Sequence, residues 1–286
     1  VTNSPGFKVL KSPFAFRQHG ECGRWVSDVL PHMASVVDDL AFLMSMNSPT
    51  NVHGLGSYMQ NTGFTLPGFP CMGAWISYAL GRINQNLPEF IVLPDPNGLP
   101  YNNHGNFTSG FLPAQHQGTV IDASDTQPVR YLFPAKTAKH INTASEAASR
   151  EVLAKLNARH MAHTPGDSRL AARIQSLEMA ARMQLSVPEL FDLKGESPAV
   201  RSLYGADEKP TADFAKRCIL GRRMLERGVR FVQIWSGAGG PTNNWDNHAN
   251  IHKELPHMTR QVDRPIAGLI KDLKARGMLE DTLVVW

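Results

Sequence analysis

Cysteine is scarce in this chain: three in 286 residues, Cys22, Cys71 and Cys218, widely separated and forming no metal-type pair. That spacing excludes a zinc ribbon or a Cys-x-x-Cys redox site. Buried free thiols are the expectation, and one disulfide in an oxidising compartment is the alternative. Long apolar runs are missing too. The longest is Leu40 to Met44, far short of the ~20 residues that a membrane-spanning helix needs. Charged residues make up only 19% of the chain, and the net charge of +4 comes from scattered Lys and Arg without a basic run or interleaved aromatics. Nucleic acid is therefore not an expected partner, and a weak preference for anionic substrates is. The Gly237-Ala238-Gly239-Gly240 turn lacks the Lys-Ser/Thr of a P-loop and opens no dinucleotide-type helix, which argues against nucleotide binding. There is no internal repeat, no heptad pattern and no starting methionine.

What is present is ordinary globular composition, 42% hydrophobic, over a length that can bury a substantial core in one domain. Near-continuous apolar segments beginning at Leu40, Phe90, Val229 and Thr282 predict buried strands. Between them, apolar residues recur at helical spacing over Val26–Val37, Gly54–Asn61, Met72–Leu80, from Thr143, from Ser168, from Phe214 to Leu225, and from Gln261 to the stop at Gly277. Strand and helix alternate, so the expected class is α/β, a mostly parallel sheet flanked by helices. Residues 94–142, rich in Pro, Gly, Asn and Ser, read as a long loop-rich insertion of the functional or disordered kind. The last predicted strand stops at Trp286 with no loop after it. The chain is therefore expected to be one domain of a longer protein, incomplete at both ends.

The residues that could carry chemistry lie where open α/β sheets place their ligands, just beyond the carboxyl ends of strands. Asp246 and His248, in Trp245-Asp246-Asn247-His248 after the Val229 strand, offer a hard oxygen and a borderline nitrogen. That donor set suits zinc or manganese and, with more oxygens, magnesium or calcium. His252 is near enough in sequence to be a third ligand, although it and His257 fit a helix surface. His53, at the start of a predicted helix, faces free backbone N–H groups and a helix dipole that favour an anion, or else makes a structural hydrogen bond. Asn51 and Trp245, beside these residues, and His19 and His104 are candidate substrate contacts.

The run of segments Ser12-Pro13-Phe14, Gln18-His19-Gly20, Leu66-Pro67-Gly68, Gln85-Asn86-Leu87-Pro88, Gly110-Phe111-Leu112-Pro113, Val187-Pro188-Glu189-Leu190, Arg227-Gly228-Val229-Arg230-Phe231 and Trp245-Asp246-Asn247-His248 resembles the bacterial family called domain of unknown function 1501. That family is grouped with the alkaline phosphatase and sulfatase superfamily. The resemblance implies a three-layer alkaline phosphatase-like fold and a metal-dependent hydrolase of phosphate or sulfate esters, an anionic ester or sulfated polysaccharide being the substrate. It also implies a periplasmic or extracellular location and further metal ligands after Trp286. Sulfatases carry their nucleophile at the start of a helix ending in Thr-Gly, and the same spacing back from Thr62-Gly63 lands on His53. An imidazole there could be nucleophile, metal ligand or anion contact. The rival expectation, from a different class, is a secreted protein that keeps the fold and binds a polymer or partner without turning it over.

Overall fold

The computed structural model describes residues 11–124, 137–138, 140–238, 244–247 and 250–286. In chain order the elements are β1 (Phe16–His19), β2 (Arg24–Ser27), α1 (Pro31–Ala34), α2 (His53–Thr62), α3 (Met72–Leu80), β3 (Phe90–Leu93), β4 (Thr119–Val120), α4 (Thr143–His163), α5 (Ser168–Phe191), α6 (Pro198–Tyr204), α7 (Ala212–Glu226), β5 (Phe231–Ile234) and α8 (Ile251–Ala275). β3 is the centre of the molecule. All four of its residues are buried, and it pairs in parallel with β4 on one side and β5 on the other. Side chains alternate across a strand, so Phe90 and Val92 point to one face, against Cys71, Ala74 and Phe107. Ile91 and Leu93 point to the other, against Met179, Met183, Leu220 and Met224 of α5 and α7.

α7 is buried nearly all round, as expected of a helix lying between two layers. Leu220 and Met224 face the sheet, while Phe214, Ala215, Cys218 and Ile219 pack on α1, α6 and α8 through Tyr204, Val262, Ile266 and Ile270. Three arginines on this helix stay charged by pairing. Arg222, for example, holds Glu196 at 2.7 Å and Asp272 at 3.1 Å. On the far side of the sheet α3 approaches so closely that a Cβ on Gly73 would stand 2.7 Å from Phe90 and Phe231. The fold is mixed α/β, a parallel three-stranded sheet flanked by helices.

Four expectations are corrected. Residues 40–44 form no strand, and Leu43 and Met44 are 78% and 70% exposed. An apolar run becomes a strand only when a neighbouring backbone supplies its hydrogen bonds, and Ser45, with φ of 63°, turns the chain away. Residues 282–286 have no ladder partner among the described residues, and Leu283 is 89% exposed. The helix read across Val26–Val37 is broken into β2, which pairs with β1 in an antiparallel hairpin, the short α1, and a 3-10 turn at Val37–Asp39. Its break has a long-range cause: the Asp263 carboxylate accepts from the backbone N–H groups of His32 and Met33 at 2.8 Å and so starts α1 at Pro31. The third sheet strand, β4, comes instead from the segment read as loop-rich. Among the described residues no helix is long and apolar enough to cross a membrane.

Candidate functional site

β3 and β5 run side by side, so the chain leaves both at the same edge of the sheet. Immediately after β3, the buried Asp95 accepts from Asn97 N at 2.9 Å and, with its other oxygen, from Gly237 N at 2.8 Å. That second bond ties the loop after β5 to the end of β3. Arg217 supports the junction from α7, donating to the carbonyls of Pro94 and Trp235 and to Asp213. Gly237 sits at φ of 83°, and a Cβ there would meet Trp245 and Asn244 at 3.1–3.2 Å. The glycine therefore permits both the turn and the close return of the loop. Trp245 Nε1 closes it by donating to Ser236 O at 3.0 Å, and Asn244 Oδ1 accepts from Asp246 N at 2.9 Å. Asp246 is thereby presented by a braced loop.

His53 arrives from α2. Its first turn is entered through extended Val52, and Gly56 N bonds back to Val52 O at 2.8 Å, which leaves the earliest N–H groups of the helix without intrahelical acceptors. Tyr101 lies flat on the imidazole, ring centroids 4.9 Å apart and planes 8° from parallel. The two residues after Tyr101, Asn102 and Asn103, are left-handed at φ of 66° and 47°, a conformation that Asn tolerates better than most side chains. Asn102 Nδ2 donates to Gly54 O at 2.5 Å, and Ser57 Oγ to Asn106 Oδ1 at 2.6 Å, so two hydrogen bonds tie α2 to the Tyr101 turn. At the other end of α2, Gln233 of β5 donates to Asn61 at 2.6 Å.

These two pieces meet at His53 Nε2 and Asp246 Oδ2, 3.0 Å apart, with the imidazole about half exposed and the carboxylate 28% exposed. The distance is that of a hydrogen bond. It is also close to the ~3 Å between adjacent ligand atoms bound at ~2.1 Å around one octahedral cation. One nitrogen and one oxygen donor, open to solvent, thus suit two neighbouring positions on a divalent ion. Among the described residues no third His, Cys, Asp or Glu joins them. His248, the other expected ligand, lies outside the described residues.

The family model described as "Protein of unknown function (DUF1501)" matches residues 2–286. The chain belongs to this family. Comparison with curated proteins and with solved structures gave no match. Within this DUF1501 chain the remaining expected contacts lie on several elements. His19 ends β1 in the N-terminal hairpin. His104 lies in a 3-10 turn with its ring edge-on to Phe107 at 5.5 Å. Asn51 is exposed two residues before α2. Trp245 borders a cavity of about 630 Å³ lined by Phe14, Phe16, Leu30, Leu255 and Trp286, whose apolar walls do not suit an anionic ester. His252 is exposed in the first turn of α8. Asp95 and Tyr101 were missed by sequence reading. The signal for Asp95 was available: Pro94-Asp95-Pro96-Asn97-Gly98 is a turn signature directly after a buried strand. Tyr101 had none, because nothing local pairs it with His53.

Proposed function

We propose that this DUF1501 chain has an alkaline phosphatase-like fold and that the His53–Asp246 pair serves the metal-dependent hydrolysis of phosphate or sulfate esters, sulfated polysaccharide included. The observation carrying the proposal is the 3.0 Å approach of His53 Nε2 to Asp246 Oδ2 at the ligand-binding edge of the sheet. Asp246, His53 and the proposed third ligand His248 would hold a divalent cation, which would supply positive charge at the ester oxygens and make a nearby water more acidic. The protein's own contribution is positional. The braced loop holds the Asp246 carboxylate 3.0 Å from His53 Nε2 so that both present donors side by side, Tyr101 fixes the plane of the ring, and the α2 amino end favours the negative ester beside it. The family resemblance extends the proposal to a periplasmic or extracellular setting.

A second reading, binding of an anionic polymer without turnover, is favoured by the imidazole standing where sulfatases carry Cys or Ser. The experiment is metal analysis followed by hydrolysis of para-nitrophenyl phosphate and para-nitrophenyl sulfate by the wild type, His53→Ala and Asp246→Ala. Metal-dependent hydrolysis of one ester that falls about a hundredfold or more in both variants is the expected outcome. Hydrolysis indifferent to both substitutions would refute the site. Stoichiometric metal with no hydrolysis of either ester would leave the binding reading in its place.

A further inference from the structure

Buried donors without an acceptor are scarce in folded proteins, and each calls for an explanation. Among the described residues most of those in this chain are guanidinium nitrogens of Arg182, Arg217 and Arg222, the last two beside carboxylates. The neutral ones are more telling. Ser27 belongs to the N-terminal hairpin, whereas Trp235 Nε1 and Asn244 Nδ2 both stand at the edge of the sheet that presents Asp246. Phe231 and Gln233 of β5, and Trp235 just after it, project to one face: Phe231 lies edge-on to Phe90, Gln233 donates to Asn61 of α2, and Trp235 reaches Phe107 with ring centroids 6.5 Å apart. Phe107 ends the turn that Asn102 and Asn106 tie to α2. The indole therefore lies on the His53 side of the sheet.

Asn244 comes to the same edge on the returning loop. Its Cα is 3.2 Å from the position of a Cβ on Gly237, and Trp235 is two residues upstream of that glycine, about 7 Å of extended chain. Asn244 Oδ1 accepts from Asp246 N at 2.9 Å, which orients the amide and leaves Nδ2 to donate elsewhere. An indole N–H and an amide NH2 are donors only. They offer no lone pair to a cation, so their partner is an acceptor, and a phosphate or sulfate group carries several in a tetrahedral array. We infer that Trp235 Nε1 and Asn244 Nδ2 donate to the non-bridging oxygens of an oxyanion seated beside His53 and Asp246, an inference that rests on the ester reading of that pair. Both residues are partly exposed although the two nitrogens are enclosed, so a small rotation of either side chain admits the oxygen. The division of labour is clear: Asp246 and His53 hold the cation, and these donors hold the charge left on the anion.

The test is titration of the nitrogen-15-labelled protein with orthophosphate and with sulfate, magnesium present, followed through the indole N–H resonances of its five tryptophans. Trp235→Phe identifies the Trp235 signal by its loss, and Trp25 and Trp75 serve as controls. The expected result is a saturable shift of the Trp235 signal with one of the anions while the controls stay. Affinity for that anion should fall at least tenfold in Trp235→Phe and in Asn244→Asp, which keeps Oδ1 for Asp246 N but replaces the donor by a negative oxygen; circular dichroism establishes that both are folded. No binding of either anion, a Trp235 signal unmoved at saturation, or folded variants that bind as the wild type does would overturn the inference. Anion binding with these signatures but no ester hydrolysed would leave it standing and remove the hydrolase reading. Hydrolysis that is lost in His53→Ala and Asp246→Ala yet indifferent to Trp235→Phe and Asn244→Asp would do the reverse.

Discussion

Replacing Asp95 by alanine removes the acceptor that joins the ends of β3 and β5, and the size of the effect follows from what is left behind. Gly237 N–H, donating to Asp95 at 2.8 Å in a buried position, loses its partner. A buried donor left unsatisfied costs about 1–3 kcal/mol. Arg217, 3% exposed, loses a carboxylate 3.8 Å from its guanidinium but keeps Asp213 at 2.6 Å and two carbonyls, so about 1 kcal/mol is expected there. The Asn97 bonds are near solvent and add little, because water replaces them. The total is about 3 kcal/mol, a large fraction of the ~5–15 kcal/mol by which a domain is stable. Asp95→Asn keeps an oxygen for Gly237 and should cost only about 1 kcal/mol. Urea unfolding followed by far-ultraviolet circular dichroism measures both, through the shift in midpoint at constant slope. Two variants equally stable and within about 0.5 kcal/mol of the wild type would show that Gly237 does not depend on this carboxylate, and the braced loop would fall with it.

Two further outcomes follow from packing and charge. Gly73→Ala forces a methyl to 2.7 Å from Phe90 and Phe231 and should destabilise by about 1–3 kcal/mol through overpacking, whereas the same change at the open Gly56 should be neutral or stabilising; thermal unfolding of the two variants decides. Glu196 is pushed up by burial, but its bonds to Arg222 and Arg223 outweigh that and hold its carboxyl below the ordinary 4.5. Its folded value being the lower one, its contribution is complete above about pH 4.5 and is lost as the pH falls through the folded value. Glu196→Gln should therefore be about 3 kcal/mol less stable at pH 7 and should lack that acid decline. A wild type and variant that lose stability in parallel below pH 4.5 would contradict the assignment.

Much of the scaffold was legible in the sequence because its signals are local. Met72–Leu80 with Gly81 after it gave α3 with its bounds, and the apolar runs from Phe90 and Val229 gave two strands, which the structure pairs in parallel. Asp167 caps α5 through its side chain, at the start read from Ser168. At α4 the capping box uses Asn142 and Ser145, just ahead of the Thr143 from which helical spacing was read. Pairing was not legible. Leu40–Met44 and Thr282–Trp286 are as apolar as β3 but have no ladder partner among the described residues, and hydrophobicity alone does not supply one. The two residues of β4, with no periodicity to show, do. The mostly exposed hairpin of β1 and β2 gave no alternation to read. At the site, the position of His53 at a helix start and of Asp246 after a strand was readable. Their bracing by Asp95, Tyr101 and the left-handed Asn102 and Asn103 depends on contacts between distant segments.

The account rests on His53 and Asp246 acting on one ion, and a double-mutant cycle on divalent-metal affinity tests that directly. Isothermal titration with zinc and with manganese would be run on the wild type, His53→Ala, Asp246→Ala and the double variant. The expected result is a loss of roughly tenfold or more, about 1.4 kcal/mol, in each single variant, with the double variant little weaker than either one, since removal of one ligand already breaks the shared site. Affinities unchanged in both single variants, or losses that simply add, would mean that the two residues do not bind a common ion and that their 3.0 Å contact is only a structural hydrogen bond.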